Sequence, residues 1–341
     1  MRKPLVGLLV GFLLVLAMLF VLGARDIVAV VRTANPVVVA ASVLIGVGSV
    51  IGYGEAFRHL RGGLEPTPTG TRFHAAYYSA YFVKLSLPVG AASFPAVLAY
   101  VMAYESDTSF EQDFAVATAA DLLRYTTSFL LALVGLALFL LTGGGTENGP
   151  VVAAAVGAGV VFIVSITTFS VLLFWPELVD RFVLTLAALT RTTLGRLSDR
   201  VRLAVRREAI EERLALFHAT IGLLRTARQG VVAATTLTAF SVVLLVTPLW
   251  LSFAALGTWV PFALVLFAVP AGNLMGVFPL PGGLGGVELA LGAVVVAAAD
   301  VSVATAAAAV LLHRLATYWV PLFVGGVTSL FVTIETRWAT P

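Results

Sequence analysis

Six apolar runs, each long enough to cross a bilayer, recur along the chain: Pro4–Gly23, Pro36–Phe57, Phe114–Leu141, Val151–Trp175, Val231–Ala255 and Ala304–Ile334. A hydrocarbon core ~30 Å thick takes about 20 helical residues to cross. Lipid offers no hydrogen bonds, so each run must satisfy its own backbone, which a helix does. The 341 residues are 60% hydrophobic and 11% charged, where soluble domains run near about a quarter charged. The fold class that follows is an all-α integral membrane protein, a polytopic helical bundle. Zero cysteines exclude disulfides, thiolate metal sites and cysteine nucleophiles. Arg2 and Lys3 ahead of the first run resemble a secretory leader, but the run is of span length and lacks a small-residue cleavage pattern. It reads as a retained first helix.

Two stretches between the runs cannot continue a helix. One is Phe278-Pro-Leu-Pro-Gly-Gly-Leu-Gly-Gly-Val-Glu288, the other Pro88-Val-Gly-Ala-Ala-Ser-Phe-Pro95. Proline lacks the N–H, and glycine costs backbone entropy. Short apolar pieces flank both: Arg72–Leu87 and Ala96–Tyr104 around the first, Val260–Val277 and Val287–Ala299 around the second. One such loop alone fits a tight turn at the bilayer surface as well as a re-entrant loop lining a polar site. Its recurrence favours two Pro/Gly-rich re-entrant hairpins, at 72–104 and 260–299, because irregular backbone at membrane depth survives only against protein or a water-filled cavity.

Aligning Leu87-Pro88-Val-Gly90 on Leu280-Pro281-Gly-Gly283, then allowing a three-residue adjustment, places Arg124 on Arg314, Thr127 on Thr317 and Val134-Gly135 on Val324-Gly325. The shared proline, glycine and buried arginine suggest an inverted repeat. The chain is then one membrane domain, 1–341, with a first half at 1–175 and a second at 230–341. Between them, 176–229 holds 10 of the 21 Lys+Arg residues. Within it Ile210, Leu214, Phe217, Ile221 and Leu224 recur at helical spacing, with a weaker stripe at Leu194, Leu197, Val201 and Val205. A solvated helical hairpin and a face for anionic headgroups are both open there, and they are compatible. Placing this basic section in the cytoplasm, with both termini, satisfies the positive-inside rule.

Lys84, Asp121, Arg124, Glu288, His313 and Arg314 sit within or beside apolar segments. A charge at the bilayer centre costs at least ~2.5–3.5 kcal/mol, so each is expected to face the interior and have a partner. Asp121 and Arg124, three residues apart, share a helix face and can pair, either to neutralise one another or to serve a ligand. Arg314 has no acid at that spacing, which leaves Glu288 across the loop or an anionic ligand. Half-helices starting near Ala96 and Val287 add N-terminal partial positive charge. There is no zinc-type histidine pair, no aspartate pair for a metal–diphosphate and no nucleophile elbow. The expectation is a protein that is not an enzyme and uses no cofactor or metal.

The segment PLPGGLGGVE followed by AAAVLLHRLATYWVPLFVGG resembles the lysylphosphatidylglycerol synthase transmembrane-region family, the membrane half of multiple peptide resistance factor proteins. The similarity runs from about Pro36 to Ile334. The resemblance implies signature roles for Pro281, Gly282, Gly283, Glu288 and Arg314, and for Lys84, Pro88, Gly90, Asp121 and Arg124 in the first half. It also implies lipid flipping. Many relatives carry Gly-Glu and then Arg after the first proline loop, where this chain has Ser93-Phe94-Pro95. Few residues follow the last run, so no soluble aminoacyl-transferase domain is expected.

The expected function is a flippase-like transporter of an anionic or phosphate-bearing lipid in the cell membrane, with no nucleic-acid partner. Lys84, Asp121, Arg124, Glu288, His313 and Arg314 are its expected substrate-binding residues. The alternatives are a membrane anchor for a separate soluble transferase and, less favoured, a membrane-embedded transferase.

Overall fold

The computed structural model describes residues 24–62, 64, 70–106, 108–143, 149–193, 206–277 and 280–338. The expected first span and the stripe from Leu194 to Val205 lie outside them. After a short α1 (Ala24–Arg32), α2 (Pro36–Arg61) starts where the Asn35 side chain accepts from the Val37 and Val38 N–H groups and Pro36 presets the first turn. A hairpin follows, α3 (Gly70–Ser86) and α4 (Gly90–Ser106). The sequence put the second arm's start near Ala96, but it begins six residues earlier. Pro95 removes one backbone bond close to the helix start, and the helix tolerates that loss.

The Ser109–Gln112 capping box starts α5 (Phe110–Leu141), four residues before the expected Phe114. Its 32 residues rise about 48 Å, well beyond a hydrocarbon core. Then come α6 (Gly149–Phe174), α7 (Pro176–Thr193), α8 (Arg207–Thr226) and α9 (Arg228–Ala255). On α8 the anticipated stripe is real: Phe217, Ile221 and Leu224 are buried, and Phe217 meets Phe114 of the overhanging α5 at 6.1 Å between ring centroids.

The second hairpin is α10 (Phe262–Gly272), a 3₁₀ segment Asn273–Val277, a 3₁₀ turn Pro281–Gly283 and α11 (Gly286–Ala298). The chain closes with α12 (Val303–Arg314), a π turn at Leu315–Trp319 and α13 (Val320–Trp338). The expected single span from Ala304 thus contains a π turn directly after Arg314. Among the described residues, six helices are long and apolar enough to cross a membrane: Pro36–Arg61, Phe110–Leu141, Gly149–Phe174, Arg228–Ala255, Pro281–Ala298 and Val303–Leu330. Five match expected spans. The fifth in chain order, Pro281–Ala298, joins part of the expected proline–glycine loop to the expected half-helix from Val287, and it reaches span length only by counting the 3₁₀ turn with α11. On its own, α11 rises about 20 Å, short of the ~30 Å core.

Packing between elements repeats across the two halves. The two helices that precede the hairpins, α2 and α9, pack on each other more extensively than any other pair. α10 packs on α5, and α3 packs on α13, so each half inserts its hairpin's first arm against the other half's long helix. The aligned glycines Gly135 and Gly325 sit at these crossings. A Cβ on Gly135 would come 2.8 Å from the Ala263 carbonyl oxygen, and one on Gly325 2.6 Å from that of Tyr78. Two interfaces of one kind are therefore made close by the absence of one side chain each. The outward face of α6 carries exposed Val156, Val160 and Ile163, an apolar surface suited to lipid.

Candidate functional site

Where the two hairpins meet the long helices lies a partly open cavity of about 350 Å³. Its walls include Lys84 from α3, Arg124 from α5 and Arg314 from α12, so three of the expected substrate-binding cations border one space. His313 is there too, and so is Gly282 of the loop. None of the cavity's described lining residues is acidic.

Local backbone geometry explains the second-half charge pair. Gly282, Gly283 and Gly285 all have positive φ, at 54°, 68° and 83°. Only glycine takes that region without strain, and Gly282 in addition packs against the Tyr318 ring where a Cβ would collide. The three glycines turn the chain into α11 so that Glu288 lies in its first turn. One carboxylate oxygen accepts from the Gly285 N–H at 2.7 Å, and the other accepts from Arg314 Nε at 2.7 Å. Arg314 Nη2 donates to the Gly282 carbonyl at 2.8 Å, and its guanidinium stands 4.5 Å from the Tyr318 ring centroid. Side-chain exposure is 8% for Arg314 and 1% for Glu288. A buried ion pair persists only when its remaining hydrogen-bonding capacity is met, and here loop and helix start meet it.

In the first half, Arg124 Nε and Nη2 both donate to Asp121 Oδ1, at 3.0 and 2.7 Å. The guanidinium lies 4.4 Å from the Tyr125 ring and 5.9 Å from the Tyr53 ring. Lys84 differs from both arginines. It has no carboxylate within ion-pair distance among the described residues, and its ammonium faces the Phe94 ring at 4.4 Å and the Tyr81 ring at 5.1 Å. The turn after it is closed by Gly90, whose backbone presses on the Lys84 carbonyl, leaving no room for a side chain there.

The expected site set is therefore divided by the structure. Lys84, Arg124, His313, Arg314 and Gly282 line the cavity. Glu288 and Asp121 do not; they stand behind the two arginines as their counter-charges. Pro88, Gly90, Pro281 and Gly283 shape the turns and do not border the space. Sequence reasoning missed the aromatic lining, although Tyr77 and Tyr81 stand four apart on one helix and stack at 6.5 Å. It also gave no role to Arg61, just past the run Pro36–Phe57. Arg61 is fully buried, with Nε donating to Asp113 Oδ1 at 2.6 Å and Nη2 to Ser106 and Thr108 hydroxyls, which locks α2 to the turn between α4 and α5. Two buried polar atoms at the cavity, the Tyr53 hydroxyl and His313 Nδ1, have no hydrogen-bond partner among the described residues.

No group of three or more His, Asp or Glu side chains among the described residues is placed to hold a metal. The arrangement offers positive charge, aromatic surface and hydroxyls, the features of a site for an anionic group. No curated protein matches the chain. Residues 5–325 match the model of the lysylphosphatidylglycerol synthase TM region, and the chain belongs to that family of multi-pass membrane proteins.

Proposed function

We propose that this protein moves an anionic or phosphate-bearing lipid across the cell membrane, in the manner of a flippase, without chemical change to the lipid. The observation that carries this is the convergence of Lys84, Arg124 and Arg314 on one cavity whose described lining residues include no acid. Cations cost too much at membrane depth to be kept there without use or partner, and Lys84 has no carboxylate partner among the described residues. The cavity wall along α6 includes Val164, which is 57% exposed, so an acyl chain can remain against apolar surface while a headgroup occupies the polar space. The positive-inside rule favours cytoplasmic termini and a cytoplasmic α7–α8 section.

The test uses pure protein in liposomes carrying a labelled anionic lipid, with headgroup accessibility read from outside. Protein-dependent movement, lost in Lys84→Gln and Arg124→Gln variants that still melt cooperatively, is the expected result. Absence of movement for every lipid, in folded protein, would overturn transport and favour a membrane partner for a soluble enzyme.

A further inference from the structure

The 26 residues of α6 rise about 39 Å, beyond the hydrocarbon core, so the chain that follows emerges at the membrane surface. There Phe174 and Trp175 stand exposed, and the Arg225 guanidinium in the last turn of α8 lies 5.4 Å from the Phe174 ring centroid. Pro176 then starts α7. This helix is ill suited to cross in its turn: its 18 residues rise about 27 Å and include Glu177, Asp180 and Arg181.

Three flanks of α7 differ in character. One packs on the protein: Val179 joins the main core, Val183 is half-buried, and Asp180 accepts from His218 Nε2 of α8 at 2.7 Å. The second is apolar and bare. On it Leu178, Phe182 and Leu186 recur every four residues, at 49%, 70% and 54% exposure. The third carries exposed Glu177 and Arg181. A solvated helix needs only a packed flank and a polar one. A bare apolar strip beside the polar one is the pattern of a helix lying in a membrane interface.

The surroundings of the strip name its occupant. It starts three residues after Trp175, a residue type that favours the interface, and it continues from the apolar outer face of α6. The section 176–229 around it holds 10 of the 21 Lys+Arg residues, which draws anionic headgroups to the same level.

We propose that α7 lies in the plane of the membrane surface, with Leu178, Phe182 and Leu186 among the acyl chains and Glu177 and Arg181 in water. It is a lipid-bound anchor fastened to α8 through Asp180 and His218. Because Phe217 of α8 packs on Phe114 of α5, the anchor also sets the depth at which the long helix bearing Arg124 sits.

The test exploits a chain without cysteine, in which one can be placed at will. Full-length protein with Glu177, Leu178, Arg181, Phe182 or Leu186 replaced by cysteine is spin-labelled and placed in nanodiscs of phosphatidylglycerol and phosphatidylcholine. Collisions with oxygen, which concentrates in lipid, are compared with those of a water-soluble nickel chelate. Labels replacing Leu178, Phe182 and Leu186 are expected to favour oxygen, and those replacing Glu177 and Arg181 nickel. Adding Phe182→Glu and Leu186→Glu should shift the Leu178→Cys label towards nickel and leave melting in detergent unchanged, since both positions are exposed. Preference for nickel at all the labelled positions would mean a solvated hairpin and overturn the proposal. Labels on the apolar strip shielded from both reagents would mean a protein cover, a second copy included, and overturn it equally. An oxygen preference that survives the paired glutamates would show that the strip does not hold the helix in lipid.

Discussion

Glu288 bridges Arg314 and the first turn of its own helix, one carboxylate oxygen to each. The charge that the cavity presents and the loop that turns the chain are thus one structure. Removing either residue leaves the other's charge buried without compensation, at a cost of about 3–5 kcal/mol. Arg314→Ala is therefore expected to lower the melting temperature strongly, and to lose activity through misfolding as well as through the lost cation. Arg124→Ala, whose pair with Asp121 is more exposed, should melt closer to the parent protein. Differential scanning fluorimetry in detergent separates the two.

Gly282→Ala should be among the most destabilising single changes in the chain. Left-handed backbone costs a non-glycine residue about 1–2 kcal/mol, and the added methyl collides with Tyr318. Gly292→Ala on neighbouring α11, where a Cβ meets nothing within 4 Å, should be neutral or gain about 0.5–1 kcal/mol. Comparable losses from both substitutions would contradict the role of the turn.

Gly135→Leu and Gly325→Leu should each force a pair of helices apart, α5 from α10 and α13 from α3. The two interfaces are of one kind, so similar falls in thermal stability are expected. A large fall from one and none from the other would argue against equivalent halves.

The Arg61–Asp113 pair is best tested by a double-mutant cycle. Arg61→Met and Asp113→Leu should each destabilise strongly, since both side chains are fully buried. The double variant should recover much of the loss, as buried ion pairs replaced by apolar residues commonly do. Strict additivity would show that the pair is not coupled.

Span-length apolar runs marked most of the long helices, because burying a backbone in lipid leaves few alternatives to a helix. The Asp121–Arg124 pair was legible from its spacing of three, and Glu288 was one of the two partners left open for Arg314. Arg61 was not legible. Its partner is 52 positions away, and an arginine at the end of an apolar run usually marks an interface. The π turn after Arg314 was equally hidden, since Leu315–Trp319 has no proline or glycine to mark it. The start of α4 was misplaced because Pro95 looks like a boundary, yet one lost bond near a helix start is a small cost. Lys84 was visible as a buried charge, but its lack of a carboxylate partner and its aromatic neighbours are facts of packing alone.

The exchange of arms between the halves bears on how the chain assembles during synthesis. The first hairpin arm, α3, finds its main interhelical surface outside its own hairpin on α13, which is translated after every other described helix. Until that helix is released, the face of α3 that will meet Gly325 has only lipid or a chaperone against it. The first half therefore inserts early and finishes late, and a helix made long after it closes the contact that holds the lysine-bearing arm in place.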